Sequence, residues 1–574
     1  MILKFILKKN KLPNLKNIYP GHLGQHYFLS VLIKRMDNSA QIKENDGNII
    51  KEGKAEILVE GKKVFYNHVQ EFNRDLSIAV LSLFAEDYNS ESKTKKVEKK
   101  NLIIEDKSST EAIENKGITI LEALSATGLR SIRYAKEIKG IKYVVANDIS
   151  KEAIKAIEKN IAHNGVEDLV KPSHEDATMV MYQNRKTRFD AVDLDPYGCP
   201  AIFLDGAVQC LSEGGLLLVT ATDMALLAGN FPETCYVKYG ALSLKSKACH
   251  EIALRILLQH IAAHAGRYGR YIQPLLSISA DFYIRVFVRV FTSQKKCKEN
   301  ASKLGMLYQC VGCESMTVQP LTVKSPTGSF KLPPAPSVEQ FCKHCQSKHH
   351  VGGPLWMDPI HDQTFVSRLL SKVEEMDLGT SKRIEGVLSV VREELDSPLY
   401  YTLDRLMSIV RVDTPSMLLF RSALLNAGYK VSYSHANKIS IKTDAPNDVI
   451  WDIVRAWEKL MLQEKPARRE RLAENSVALT ILTKDSVTPV SFALHPLANP
   501  VSRQKRLSRF QINPESNWGP GTKSCNMMNH EKPHHLKRKR NQNKHEKNKR
   551  KTDEKDVGEN SIEKETSVNS EMES

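Results

Sequence analysis

With 574 residues, 41% hydrophobic and 26% charged, the chain has the make-up of a soluble protein with room for two or more cored domains, which excludes a wholly disordered one. No apolar run reaches the ~18–20 residues a membrane-spanning helix needs; the stretch around Leu216–Leu227 is broken by Asp223, and no membrane partner is expected. Ten cysteines over this length exclude a small secreted disulfide scaffold and favour a reducing compartment, and a net charge of +16 points to an anionic partner.

Residues 1–36 carry seven Lys or Arg and no acid, and read as a mitochondrial presequence; Met36 would start a product lacking it. Residues 50–300 read as one catalytic domain, interrupted at 86–117 by a Lys/Glu-rich surface insertion or linker. A second domain follows at 301–502, and 503–574 reads as a disordered tail. Within that tail, 530–551 holds ten basic and two acidic residues, including "KRKR" and "KNKRK", and reads as a nuclear-targeting or RNA-binding segment. Residues 552–574 swing to eight acids against two lysines, which leaves +7 on residues 37–529. The body is therefore mildly basic itself, as suits contact with a phosphate backbone. Both the nucleus and the mitochondrion are expected destinations, with the cytoplasm a further one.

From Ile118 short apolar runs alternate with helical periodicity. "ITILEAL", "KYVVAND", "FDAVDLD" and "GLLLVTATD" predict buried strands, and "SIRYAKEI" and "SKEAIKAIEKNIAHNG" predict helices, the second capped by Ser150 and ended at Gly165. Strand alternating with helix predicts an α/β fold with a doubly wound parallel sheet, which binds ligands beyond the carboxyl ends of its strands. The first strand runs into "LEALSATGLR", a turn of small residues reaching Gly128, and the second ends at Asp148, 20 residues on, where a carboxylate can take both hydroxyls of a ribose. Asp176 and Ala177 fall where an adenine edge would lie. No phosphate cradle accompanies them, so S-adenosylmethionine fits better than NAD or ATP.

"FDAVDLDPYG" raises a separate question, because it ends a buried strand with two carboxylates, Asp193 and Asp195. An exocyclic amine of a nucleobase is a poor nucleophile, since its lone pair is delocalised into the ring. Asp195 and the carbonyl of Pro196 offer adjacent acceptors that would draw such a nitrogen toward tetrahedral geometry and take its proton, while Tyr197 stacks on the base. Downstream, "CVGC" and "CKHC" set Cys310, Cys313, Cys342 and Cys345 as two knuckles, 28 residues apart, with the spacing of a closed structural zinc site. His344, His349 and His350 stand near as alternative ligands.

Together "VFYNHVQEFNRDLS", "LEALSATGLRSIRYA", "ANDIS", "DLDPYGCP", "TATDMALLAGNFPETCYVKYGAL" and "GPLWMDPIHD" resemble the tRNA (guanine-26 N2)-dimethyltransferase family, over a span ending near residue 500. The resemblance implies a Rossmann-like methyltransferase domain, a family-specific C-terminal α+β domain, S-adenosylmethionine as methyl donor and tRNA as partner. It implies that Arg74, Arg130, Asp148, Asp176 and Ala177 contact the donor. Asp195 would be catalytic, and Phe65 and Tyr197 would flank a guanine swung out of the tRNA. The oligomeric state stays open, a monomer being sufficient. Two other readings remain: an amino-methyltransferase acting on adenine N6 or glutamine, and a catalytically silent RNA-binding folding helper.

Overall fold

The structure is a computed structural model that describes residues 49–58, 66–102, 117–464 and 466–510. The expected presequence, Phe65, the expected linker beyond Leu102 and the basic and acidic tail lie outside these residues. All the described residues belong to one compact unit, 46–520.

A short hairpin, β1 (Ile49–Glu52) and β2 (Ala55–Leu58), precedes helix α1 (Glu71–Leu102). The segment expected to be a linker from residue 86 is thus helical as far as Leu102. Its Lys/Glu-rich sequence is polar, but these are strong helix formers, and helical propensity explains the difference.

The four predicted strands appear as β3 (Ile118–Glu122), β4 (Ile141–Asp148), β6 (Phe189–Leu194) and β7 (Leu211–Ala221), with a further strand, β5 (Val170–His174), between the second and third. Helices α2 (Leu129–Glu137), α3 (Lys151–Asn164), α4 (Ala177–Gln183) and α5 (Ala201–Cys210) connect them. Two further strands, β8 (Arg270–Ala280) and β9 (Tyr283–Thr292), complete a seven-stranded sheet ordered β5-β4-β3-β6-β7-β9-β8. The first five strands run parallel and the last two pair antiparallel. Ser150 caps α3 through the Ala153 N–H at 3.3 Å, and Gly165 ends it at φ 62°.

Apolar side chains alternate between two cores. Ile118, Ile120, Ala191, Leu216 and Leu218 pack with α1, α2 and α3, whereas Leu121, Val192, Leu194, Leu217 and Val219 pack with α4, α5 and the helix Cys249–Gly266. Burial on both faces is why the strands read as continuous apolar runs. The same parity sends Glu122, Asp148 and Asp193 toward the α1–α3 side, which decides their partners below.

Beyond the sheet, antiparallel strands Leu304–Cys310, Met316–Pro320 and His349–Trp356 carry the cysteine knuckles, followed by helices and a second small sheet. The helices Gln363–Glu374 and Ser381–Glu393 share a core with α1 through Phe365, Leu369, Ile384 and Leu388. A third core joins the knuckles to Leu406, Phe420 and Trp451. Among the described residues no helix is long and apolar enough to cross a membrane.

Candidate active site and candidate metal centre

The turn after β3 is built for close approach. Gly128 starts α2 at φ 77°, and a Cβ there would stand 3.3 Å from Ile157. The Asp148 carboxylate accepts the N–H groups of Ala126 and Ser150, each at 2.9 Å, and so ties the β3 turn to the end of β4. On the neighbouring strand, Asp176 caps α4 by accepting from Thr178 N–H at 2.7 Å, and Ala177 is the buried first residue of that helix. Two apolar side chains missed in the sequence stand exposed beside these acids: Ile149, immediately after Asp148, and Met179 in the first turn of α4. Their position next to a strand-end acid was the signal available.

The paired carboxylates of β6 turn out to have different duties. Asp193 is fully buried, its Oδ1 2.8 Å from Arg285 and its Oδ2 accepting from the Tyr134 hydroxyl at 2.6 Å and from Arg130 at 3.3 Å. Burial alone would raise its pKa, but Arg285 and Arg130 together hold it below the usual carboxylate range. Glu122, at the end of β3, accepts from Ser125 at 2.9 Å and from Ser131 N–H at 3.0 Å. Its pKa is pushed up to about 7 by burial, against the opposing pull of Arg130. Asp195 lies just past the strand, with its side chain 26% exposed and ion-paired to Arg130 Nη2.

Pro196 behind it is buried and Tyr197 is 68% exposed. The loop is pinned where it turns: Gly198 N–H donates to Thr222 Oγ1 at 2.8 Å, and Thr222 N–H returns to the Gly198 carbonyl at 2.9 Å. Of the predicted donor contacts, Arg130, Asp148, Asp176 and Ala177 therefore gather at the carboxyl edge of adjacent strands with Asp195. Arg74 instead pairs with Glu52 at 2.6 Å, donates to the Asn67 carbonyl at 3.0 Å, and lies 5.5 Å from the Tyr66 ring centre. It reaches the cluster only indirectly, since its neighbour Asn73 accepts from Arg130 at 3.3 Å.

The four cysteines converge. Their sulfurs all lie within 4.8 Å of one another, with Cys310–Cys345 at 3.3 Å and Cys313–Cys342 at 3.5 Å. A tetrahedral zinc with Zn–S bonds of about 2.3 Å needs sulfurs about 3.8 Å apart, so the quartet has the right size. The N–H of Cys313 points at Cys310 Sγ, 3.5 Å away, and that of His344 at Cys342 Sγ, 3.4 Å away, as suits thiolates. His344 turns its Nδ1 toward Asp448 instead, at 3.7 Å, and His349 and His350 lie on the adjoining strand outside the quartet. The donor set is four thiolates, with no histidine needed.

His361, Glu394 and His435 form a second buried cluster of metal-binding residue types. The hydrogen bonds argue against a metal here. His435 Nε2 accepts from Ser279 N–H at 3.1 Å and His361 Nδ1 from Ser277 N–H at 3.3 Å, so the nitrogens facing Glu394, at 2.8 and 4.0 Å, carry the protons. Lys442 adds a second side-chain donor at 3.0 Å, and His361 Nε2, at 4.0 Å, is an electrostatic neighbour only. The cluster is a cage of donors around one carboxylate, tying β8 to the region after residue 390.

Burial holds the His361 pKa down at about 3, while an unfolded histidine titrates near 6.5. This contribution to stability is full above pH 6.5 and is lost as pH falls toward 3. Urea unfolding at pH 7 and pH 4.5 is expected to show that His361→Gln removes about 2–3 kcal/mol of the acid-induced destabilisation; an unchanged pH slope would contradict it.

Residues 40–455 match the family model of the N2,N2-dimethylguanosine tRNA methyltransferases. A Drosophila melanogaster tRNA (guanine(26)-N(2))-dimethyltransferase is 52% identical over 538 residues, covering 88% of this chain and 92% of that relative. A Saccharomyces cerevisiae relative, named as the mitochondrial tRNA (guanine(26)-N(2))-dimethyltransferase, is 37% identical over 533 residues, covering 84% and 93%. The solved structure of Trm1 from Pyrococcus horikoshii with S-adenosyl-L-methionine superposes with a TM-score of 0.58 at 28% identity, covering 71% of this chain and 99% of that one. The sheet, the acids at its carboxyl edge and these extended similarities lead to one assignment: the chain belongs to the N2,N2-dimethylguanosine tRNA methyltransferase family.

Proposed function

We propose that this protein methylates the exocyclic N2 of guanine 26 in tRNA, first to N2-methylguanosine and then to N2,N2-dimethylguanosine. The observation that carries the reading is Asp195: a partly exposed carboxylate on a pinned loop, with a buried proline behind it and an exposed tyrosine beside it. S-adenosylmethionine, when bound, supplies an electrophilic methyl group on sulfur. The strand-end residues fit that molecule. Asp148 would take the ribose hydroxyls, Asp176 and Ala177 would meet the adenine edge, the exposed Ile149 and Met179 would cover its faces, and Arg130 would supply a cation.

Asp195 and the Pro196 carbonyl hold the guanine amine and take up its proton, and Tyr197 stacks on the base. Swinging a stacked base out of tRNA costs roughly a few kcal/mol, and aromatic stacking at ~1–3 kcal/mol offsets much of this. Tyr197→Ala is therefore expected to lower kcat/KM by roughly 5–150-fold and Tyr197→Phe by little; equal losses in steady-state assays would place the role in the hydroxyl instead. Arg74, held by Glu52, supports the turn at Asn67.

Purified protein, S-adenosylmethionine and a tRNA transcript, followed by nucleoside mass spectrometry, test the function. Mono- and dimethylguanosine from a guanine-26 transcript, and none from an adenine-26 one, is the expected result. Methyladenosine, or no product, would contradict it.

A mitochondrial pool is supported by the basic, acid-free first 36 residues and by the name of the yeast relative, and a nuclear pool by the basic tail. N-terminal sequencing of organellar protein checks the first, with an intact Met1 counting against cleavage.

A further inference from the structure

Three carboxylates surround the Arg130 guanidinium, and they are not equivalent. Glu122 lies 3.7 Å from Nε and Asp193 3.3 Å from Nη1, both almost fully buried and each fixed by further donors. Asp195 occupies the outer corner, Nη2, and Arg130 is the one hydrogen-bonding partner of its side chain among the described residues. Its side chain is 26% exposed against 7% for that of Arg130. Moving Arg130 would take the cation from buried Glu122 and leave buried Asp193 with Arg285 alone, whereas moving Asp195 returns a partly exposed carboxylate to water. Asp195 is therefore the exchangeable partner.

A carboxylate committed to a guanidinium has fewer lone pairs for an amine N–H. We propose that Arg130 is a positioning residue that holds Asp195 in reserve. Asp195 gives up the Nη2 corner to the terminal carboxylate of the methyl donor, and only then becomes free to receive guanine. The inference rests on the assignment of Arg130 to the donor site.

Linkage gives the exchange an unusual sign. Whatever holds Asp195 on Arg130 opposes the ligand's carboxylate, so removing the Asp195 charge strengthens ligand binding. A simple attraction between Asp195 and a sulfonium would give the opposite result. Uncharged at sulfur, S-adenosylhomocysteine is the cleaner probe, and 5′-methylthioadenosine, which lacks the carboxylate, is its control.

Calorimetry on the full chain is expected to show that Asp195→Asn and Asp195→Ser each bind S-adenosylhomocysteine at least threefold tighter than the unmodified protein. Affinity for 5′-methylthioadenosine is expected to stay within twofold. Arg130→Lys keeps a charge for the two buried acids but loses the Nη2 corner, and is expected to weaken S-adenosylhomocysteine and to erase the gain from Asp195→Asn. Unchanged or weaker S-adenosylhomocysteine binding by both Asp195 variants, or an equal gain for 5′-methylthioadenosine, would overturn the exchange. Failure of the unmodified protein to bind S-adenosylhomocysteine, or undiminished binding by Arg130→Lys, would overturn the donor-site assignment beneath it.

Discussion

Replacing Asp195 with alanine is expected to abolish both methyl transfers, lowering kcat by about 10²–10⁴-fold, the range for a positioned proton acceptor, while thermal stability changes little. The reason lies in the division of labour along β6. Asp193 carries the structural load: it is buried and bonded to Arg285, Arg130 and Tyr134. Removing it leaves buried guanidinium groups short of a partner and is expected to cost about 3–5 kcal/mol of stability. Asp195 is partly exposed and its one hydrogen-bonding partner among the described residues is Arg130, so its loss should not unfold the chain. The pair of variants separates chemistry from folding. Methylation assays with thermal melts check both, and an Asp195→Ala enzyme of near-normal activity would remove the carboxylate from the mechanism.

Stripping zinc is expected to have the largest effect on stability. Four buried thiols packed within 4.8 Å are a poor arrangement for neutral side chains but a good one for thiolates around a cation. Structural zinc binding in small domains is worth about 10–16 kcal/mol in apparent terms near neutral pH. The quartet belongs to the core that holds Phe420 and Trp451, and the Trp451 indole N–H donates to Ser315, which also lies 3.1 Å from Cys313 Sγ. Chelation or Cys310→Ser is therefore expected to loosen the C-terminal core and shift tryptophan emission to longer wavelength. One zinc per chain by elemental analysis is the companion result. Zinc-free protein with an unchanged melting temperature would contradict the site.

The sheet was legible because its strands are buried on both faces, so "GLLLV" stands out as an uninterrupted apolar run and "FDAVDL" as one broken only by Asp190 and Asp193. The acids at their ends stood out because charge is rare after such runs. The sequence singled out Asp195 for chemistry but left the duty of Asp193 open. Asp193 and Asp195 share a parity, and only the structure shows that the first is consumed by Arg285 on β9 and Tyr134 on α2. Arg74 illustrates the converse, since its main partner, Glu52, lies on a hairpin 22 residues earlier. The helix running to Leu102 was hidden by its polarity, and the cage around Glu394 by its assembly from four distant segments.

The central claim is that the Asp195 carboxylate receives the guanine amine, and a thermodynamic cycle tests it most directly. Affinity would be measured for tRNA carrying guanine or inosine at position 26, the latter lacking the N2 group, with unmodified and Asp195→Asn protein saturated with S-adenosylhomocysteine. A hydrogen bond to a charged acceptor predicts a coupling of about 1.5–3 kcal/mol between the two changes. Strictly additive effects would contradict the account.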